Sequence, residues 1–441
     1  MSAKKAVVLS GGGAKGGYQI GAWQALRELG FKPDIVTGTS VGSFNGALMA
    51  SDKFEEAMDL WSNINMGKVF AQFADENAEE DEEQEDYIRS LAKEALFKGG
   101  ADFSPLRNVL ETIVNEEQIR NSHIDFGLVT TKFPYKKRFE LFIDQIPQGE
   151  VIDYIIASAS IFPLIRSYKI GQTKFIDGGY SDNMPVQMAI DRGATEIVAI
   201  NIGNLAVQKL KENNAMIYYV RSKKPLNEGR FGGVALFDKE MSLNNIKQGY
   251  IDTYKTFRHY EGCLYTFDKG ETKYFELMED FIFHKLSQIF CILPTDNRFE
   301  RMGLKNITEF WQEWGTDPFI PCTRALACGE AAADILDLNP RNVYLYNDFC
   351  FNLLEDSIQL ITADTSERIA QLTKQLDKGI SFDLLRTLVK NWDKKLILGF
   401  TMQLLMEERL EQSQKRRLWL VASLMPDVFC AALFCAGLAM N

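Results

Sequence analysis

The chain has 441 residues and a formal net charge of −11, a length that suits one large domain or two ordinary ones. With 46% hydrophobic residues it has ample apolar material for a globular core. The acidic balance argues against nucleic acid as the main partner and against tight adhesion to anionic membranes.

No secretory leader is read at the start, because Met1-Ser2-Ala3-Lys4-Lys5 meets only a short apolar run before the glycines. All seven cysteines stand at or beyond Cys263, odd in number and without paired metal-ligand spacing. They read as reduced, buried thiols, which suits a cytoplasmic location. The three histidines, His123, His259 and His284, form no i, i+4 pair, so no metal site is expected.

Ala6 to Leu9 reads as a buried strand. It enters Ser10-Gly11-Gly12-Gly13-Ala14-Lys15-Gly16-Gly17, and a helix follows through Tyr18, Ile20, Trp23, Leu26 and Leu29, closed by Gly30. Gly11-x-Gly13-x-x-Gly16 has the letters of a dinucleotide fingerprint. That fingerprint wants an acidic residue at the far end of the second strand, yet Asp34 stands at the near end and the far end carries Ser40. No nucleotide cofactor is therefore expected, and Gly11, Gly12, Gly13 and Gly16 read as an oxyanion hole of bare amides. Lys15 reads either as added positive charge there or as a solvated loop lysine.

Ile35-Val36-Thr37 is a second buried strand, and Ala47 to Ala50 is helical. Between them stands Gly38-x-Ser40-x-Gly42. Glycines on both sides let strand and helix approach through a tight corner, with the serine at its strained apex. The helix that follows turns its N-terminal amides toward whatever binds there, which favours a developing negative charge.

Lys53 to Asn65 reads as a helix. Asp75 to Asp86 is so densely acidic that it reads as a solvated, mobile loop, with no spacing that matches a known calcium loop. Helices are expected at 87–97 and 105–115. Strands are expected at 125–131 and 138–143, joined by the tip Lys132-Phe133-Pro134-Tyr135-Lys136-Lys137. An aromatic, basic tip of this kind can make transient contact with a membrane surface, although such tips are ordinarily just solvated.

Val151 to Ala159 reads as a helix. Two short strands, 168–170 and 173–176, pair across Gly171-Gln172, and the second runs into Asp177-Gly178-Gly179. An aspartate at a strand end followed by glycines is a candidate site residue in an α/β sheet. A helix at 186–192 and a buried strand at 195–202 complete the pattern. The order of elements implies an α/β fold, a mainly parallel central sheet sandwiched by helices.

Three of these segments together resemble the ordered signatures of the patatin-like phospholipase family: Ser10 to Gly16, Gly38-Thr39-Ser40-Val41-Gly42, and Asp177-Gly178-Gly179. Ala157-Ser158-Ala159-Ser160-Ile161-Phe162-Pro163 and Asn183-x-Pro185 resemble its flanking segments, and the likeness covers about 4–203, more loosely to about 275. The resemblance implies a lipid acyl hydrolase with a Ser-Asp dyad, no catalytic histidine and no metal. In it Ser40 is the nucleophile and Asp177 the general base. A classical triad would need His259 or His284. The first stands at the end of an expected helix, the second on an aromatic helix beyond the domain, so the dyad is preferred. Asp182 is a reserve base expected instead to shape its loop.

The domain is accordingly drawn over 1–275, with a helical accessory region over 276–441 that carries no motif. Strands are read at 215–221, 263–267 and 273–275, and helices at 239–257, from 277 onward, at 351–361, 369–376 and 384–410. Leu418 to Met440 is apolar and long enough to span a bilayer. Pro426-Asp427 near its middle favours two shorter core helices instead. The expected activity is hydrolysis of lipid esters through an acyl-Ser40 intermediate. Esterase or acyl transfer on a non-lipid substrate, or a catalytically silent lipid-binding scaffold, are the alternatives.

Overall fold

In the computed structural model, residues 4–73, 84–97, 99–203, 209–227, 233–268, 273–290, 297–315, 324–362 and 393–440 are described. They fall into two compact units, Met1–Thr256 and Phe257–Asn441.

The first unit is built on apolar runs that need cover on both faces. Ala6 to Leu9, Ile35–Val36 and Ile197 to Ile200 are all buried, the signature of parallel strands with helices above and below. The strands are β1 (Lys4–Leu9), β2 (Ile35–Thr39), β3 (Asp125–Phe133), β4 (Lys137–Phe142), β5 (Tyr168–Ile170), β6 (Thr173–Asp177), β7 (Ala194–Asn201) and β8 (Met216–Arg221). Their order is β5-β6-β3-β2-β1-β7-β8, with β4 also on β3. The stretch from β3 to β8 along this path is parallel, whereas β4, β6 and β5 pair antiparallel.

The helices of this unit are α1 (Gly17–Glu28), α2 (Val41–Ala50), α3 (Phe54–Ser62), α4 (Met66–Val69), α5 (Gln84–Phe97), α6 (Ser104–Ile113), α7 (Glu116–Arg120), α8 (Val151–Ser158), α9 (Val186–Asp191) and α10 (Lys239–Thr256). Side chains alternate across a strand, so Ala6, Val8 and Ile35 join the core cluster of Val186, Met188 and Ala189 from α9. Leu9 and Val36, one residue out of phase, meet α2 at Gly46 on the other face. The mainly parallel, helix-sandwiched sheet is thus the observed fold.

One strand acts as a ruler for the site. On β3, Val129 pairs with Glu140 of β4 on one edge and with Thr39 of β2 on the other. The next residue, Thr130, pairs with Phe139 of β4 and with Asp177 of β6. β2 and β6 therefore share one edge of β3, end against end. Thr39 and Asp177 occupy consecutive rungs, and Ser40 follows Thr39.

The second unit has its own core. It contains α11 (Lys273–Ile289), α12 (Arg298–Gly315), α13 (Arg324–Ile335), α14 (Tyr346–Thr362), α15 (Lys394–Leu405), α16 (Gln412–Leu424) and α17 (Pro426–Met440). It also holds a small sheet of β9 (Tyr260–Glu261), β10 (Thr266–Asp268) and β11 (Val343–Tyr344), of which β10 overlaps the strand expected at 263–267 while β11 interrupts the region read as helical. The unit begins before residue 275 because β10 pairs with β11, far along the chain. Lys273–Phe275, expected as a strand, opens α11 instead. The apolar stretch from Leu418 breaks at Met425 into α16 and α17, and Val428 to Ala436 are wholly buried in this core. No helix among the described residues is long and apolar enough to cross a membrane. The acidic run is described only from Gln84 on, and the helix expected at 369–376 lies outside the described residues, as does the first part of that at 384–410.

Candidate active site

The corner after β2 is as tight as its sequence demands. Ser40 has φ 55° and ψ −128°, a conformation that non-glycine residues adopt only under strain, at a cost of about 1–3 kcal/mol. A Cβ on Gly38 would lie 2.2 Å from the Gly42 carbonyl oxygen, and one on Gly42 would lie 2.3 Å from that of Leu9. Only glycine permits strand, corner and helix to touch in this way. The Ser40 amide donates to the Ser158 hydroxyl at 2.8 Å, and that hydroxyl donates to the Val129 carbonyl at 2.6 Å. Ser158 thus pins the strained residue to the ruler strand. The Ser43 hydroxyl closes the first turn of α2 on the Ser40 carbonyl at 2.6 Å.

Asp177 ends β6 and is 4% exposed, Ser40 3%. Its Oδ1 accepts the Gly179 amide at 2.7 Å, while Oδ2 is buried with no hydrogen-bond partner among the described residues. Burial pushes the carboxyl up to about 6, against the Ser40 hydroxyl and the Gly179 amide, which pull it down. A carboxylate with one oxygen tied and the other unspent beside a serine has the properties of a general base. Gly178 fits because a Cβ there would meet the Val129 carbonyl at 2.2 Å.

The four glycines of the first loop divide their roles. The Gly11 amide donates to the Asn183 carbonyl at 3.1 Å, so it is not a free donor. A Cβ on Gly16 would strike the Trp61 ring at 2.3 Å, which makes it a packing glycine. Both correct the expectation of a four-residue oxyanion hole. Gly12 and Gly13 have amides with no hydrogen-bond partner among the described residues. Gly13 has φ +56°, and a Cβ there would lie 2.1 Å from the Val234 carbonyl, so the loop holds its shape only with glycine. Lys15 is 3% exposed rather than solvated, and burial lowers its pKa.

Two residues that sequence reasoning did not single out brace this arrangement. The Asn183 amide nitrogen donates to the Gly11 carbonyl at 3.3 Å, and its Oδ1 fills the space where a Gly11 or Gly179 Cβ would stand. Ser158 is the other. The resemblance of their flanking segments to the family was the only signal for either. Asp182 is fully engaged: Arg138 binds Oδ2 at 3.1 Å, the Met184 amide binds Oδ1 at 3.1 Å, and the Thr39 hydroxyl donates to its carbonyl at 2.9 Å. Burial raises its pKa as well, but both oxygens hold the loop.

Ser40 opens onto an apolar pocket of about 640 Å³, counting its open mouth. Gly13 lines it, with Trp61, Phe70, Phe103, Leu110 and Phe237 among the walls. No histidine among the described residues lines it.

The chain has relatives among known proteins. Residues 7–190 match the family model described as patatin-like phospholipase. Lysophospholipase NTE1 of Phaeosphaeria nodorum is 33% identical over 204 residues, covering 45% of this chain and 12% of that protein. Patatin-like phospholipase domain-containing protein 7 of Rattus norvegicus is 28% identical over 208 residues, covering 45% of this chain and 14% of that protein. The match thus spans only a small fraction of these relatives' length. The crystal structure of VipD from Legionella pneumophila aligns over 97% of this chain and 92% of that one, at 14% identity and a TM-score of 0.36, a likeness too weak to bear on function.

Proposed function

We propose, from the match of residues 7–190 to the family model described as patatin-like phospholipase, that the chain is a serine lipid acyl hydrolase working through Ser40 and Asp177. The observation that carries this reading is the buried Asp177 carboxyl, held by the Gly179 amide and acted on by the hydroxyl of a strained Ser40 at the head of an apolar pocket. Asp177 takes the Ser40 proton as Oγ attacks the ester carbonyl. The Gly12 and Gly13 amides receive the negative charge of the tetrahedral intermediate, where one donor is worth roughly 3–4 kcal/mol in other enzymes. Asp177 returns the proton to the departing alcohol, leaving acyl-Ser40. It then takes a proton from water, which attacks the acyl group, and passes that proton to Ser40 Oγ as the acyl–oxygen bond breaks and the fatty acid leaves. No metal or cofactor enters these steps.

The pocket supports a substrate class. Its lining, which includes Trp61, Phe70, Phe103, Leu110 and Phe237, is apolar and suits an acyl chain. The lysophospholipase name of one relative favours monoacyl phospholipids.

A fluorophosphonate probe tests the nucleophile. It should label the wild type and fail on Ser40→Ala, while Asp177→Asn should label roughly a hundred- to ten-thousand-fold more slowly. Labelling that survives Ser40→Ala overturns the assignment. Faster release from lysophosphatidylcholine than from phosphatidylcholine in detergent is the expected order of substrates.

A further inference from the structure

The antiparallel end of the sheet carries a feature that the acyl chemistry does not use. Lys132 on β3 stands directly opposite Lys137 on β4, and Lys174 on β6 directly opposite Lys169 on β5. Like charges so placed destabilise a sheet. The two pairs occupy neighbouring rungs, since Lys132 meets Phe175 and Phe133 meets Lys174 across β3 and β6, so they project from opposite faces of the sheet and flank its tip on both sides. Lys136 in the turn adds a fifth charge. None of the five has a carboxylate partner among the described residues. Lys132 stands 4.0 Å from the Phe139 ring and Lys136 5.9 Å from that of Tyr180. The carboxylates of the same region are spent: Glu140 and Asp182 are both bound by Arg138, and Asp177 is buried. On a chain of net charge −11 this end is locally basic. Tyr135, 87% exposed, projects from it.

The feature adjoins the pocket. Asp177 pairs with Thr130, three rungs short of Phe133, so the tip stands roughly 10 Å beyond the acid. The Phe133 ring lies 5.1 Å from that of Phe162. Phe162 belongs to the segment whose Ile161, Leu164 and Ile165 line the pocket.

We propose that this end of the sheet is a docking face for an anionic lipid bilayer. The lysines meet headgroup phosphates, Tyr135 enters the interfacial layer, and the pocket mouth is held against the surface from which an acyl chain would enter. The two like-charge pairs are tolerated in the free protein and relieved on the bilayer. The inference extends the hydrolase reading but is tested without turnover.

The test uses full-length Ser40→Ala protein, which cannot consume the vesicles, in a flotation assay. It should bind vesicles of equal parts phosphatidylcholine and phosphatidylserine, bind pure phosphatidylcholine far less, and dissociate as salt rises. Replacing Lys136, Lys137 and Lys174 by Gln should weaken binding on the order of 100-fold. Replacing Lys4, Lys32 and Lys211, at the other end of the parallel strands, should leave it unchanged. Equal loss in both triple variants, or no binding to the anionic vesicles at all, overturns the docking face. The same lysine variants on the Ser40 background should keep wild-type turnover of a water-soluble nitrophenyl ester. Absence of that turnover in every form counts against the hydrolase alone, and the vesicle result stands separately.

Discussion

At the scale of single residues, Asp177 trades stability for reactivity. An aspartate in an unfolded chain ionises near ~3.9, whereas burial holds Asp177 at about 6. Between those values the folded protein keeps a proton that the unfolded chain has released, so stability falls as pH rises through that window. Above it the ionised group costs about 3 kcal/mol. Asp177→Asn should therefore unfold at higher urea than the wild type at pH 7, by up to about 3 kcal/mol in the first unit, and at the same urea near pH 4. Its hydrolysis should be nearly abolished. In the wild type, kcat/KM for a soluble ester should fall about tenfold per pH unit below about 6, since only the carboxylate takes the Ser40 proton. A stabilised yet inactive variant separates a catalytic role from a structural one, for which removing the carboxyl would destabilise. Ser40, Asp177 and the elbow glycines were legible in the sequence because each constraint is local: one residue, its neighbours and a strand-to-helix corner. The loss of Gly11 as a donor was not, because its partner Asn183 is 172 residues away. The bracing hydroxyl of Ser158 was hidden for the same reason: its partners, Ser40 and Val129, come from the corner after β2 and the middle of β3.

At the scale of elements, the glycine loop is only as rigid as the helix that grows from it. α1 is clamped by α10 along a seam of bare backbone. A Cβ on Gly21 would lie 1.8 Å from the Ile246 carbonyl, and one on Gly249 would lie 1.9 Å from that of Tyr18. The Tyr18 hydroxyl donates to Asp252 at 2.7 Å across the same seam, and burial raises both pKa values. Gly249→Ala must push the helices apart, since the obstacle is backbone rather than a flexible side-chain end. Overpacking of this kind costs about 1–3 kcal/mol, a fall in melting temperature of roughly 2–12 °C for a unit of this size. Turnover at 25 °C should drop further than stability alone explains, because the loop bearing Gly12 and Gly13 shifts with α1. Unchanged turnover in a variant with the expected melting loss would show that the seam stabilises without positioning. The helical pattern of both segments could be read from apolar spacing. Their contact could not, because a glycine that admits a neighbouring backbone has the same letter as one that ends a helix.

At the scale of the whole molecule, the chain has two units with separate cores. The proposed chemistry lies entirely in Met1–Thr256, where the ruler strand, the elbow and the pocket meet. Phe257–Asn441 closes a separate core around α17, in which Phe434 is wholly buried, 5.4 Å from the Phe275 ring and against Gly329. Separate cores make separate cooperative units, and a chain with two of them is not expected to unfold in one step. Phe434→Ala removes an aromatic ring from the second core and should cost about 3–5 kcal/mol there. Scanning calorimetry should then show two transitions, with Phe434→Ala lowering one and Gly249→Ala lowering the other. Loss of ester turnover on heating should track the transition that Gly249→Ala moves. If Phe434→Ala lowered both transitions equally, the second unit would be a support for the first rather than an independently folding body, and the proposed division of labour would fail.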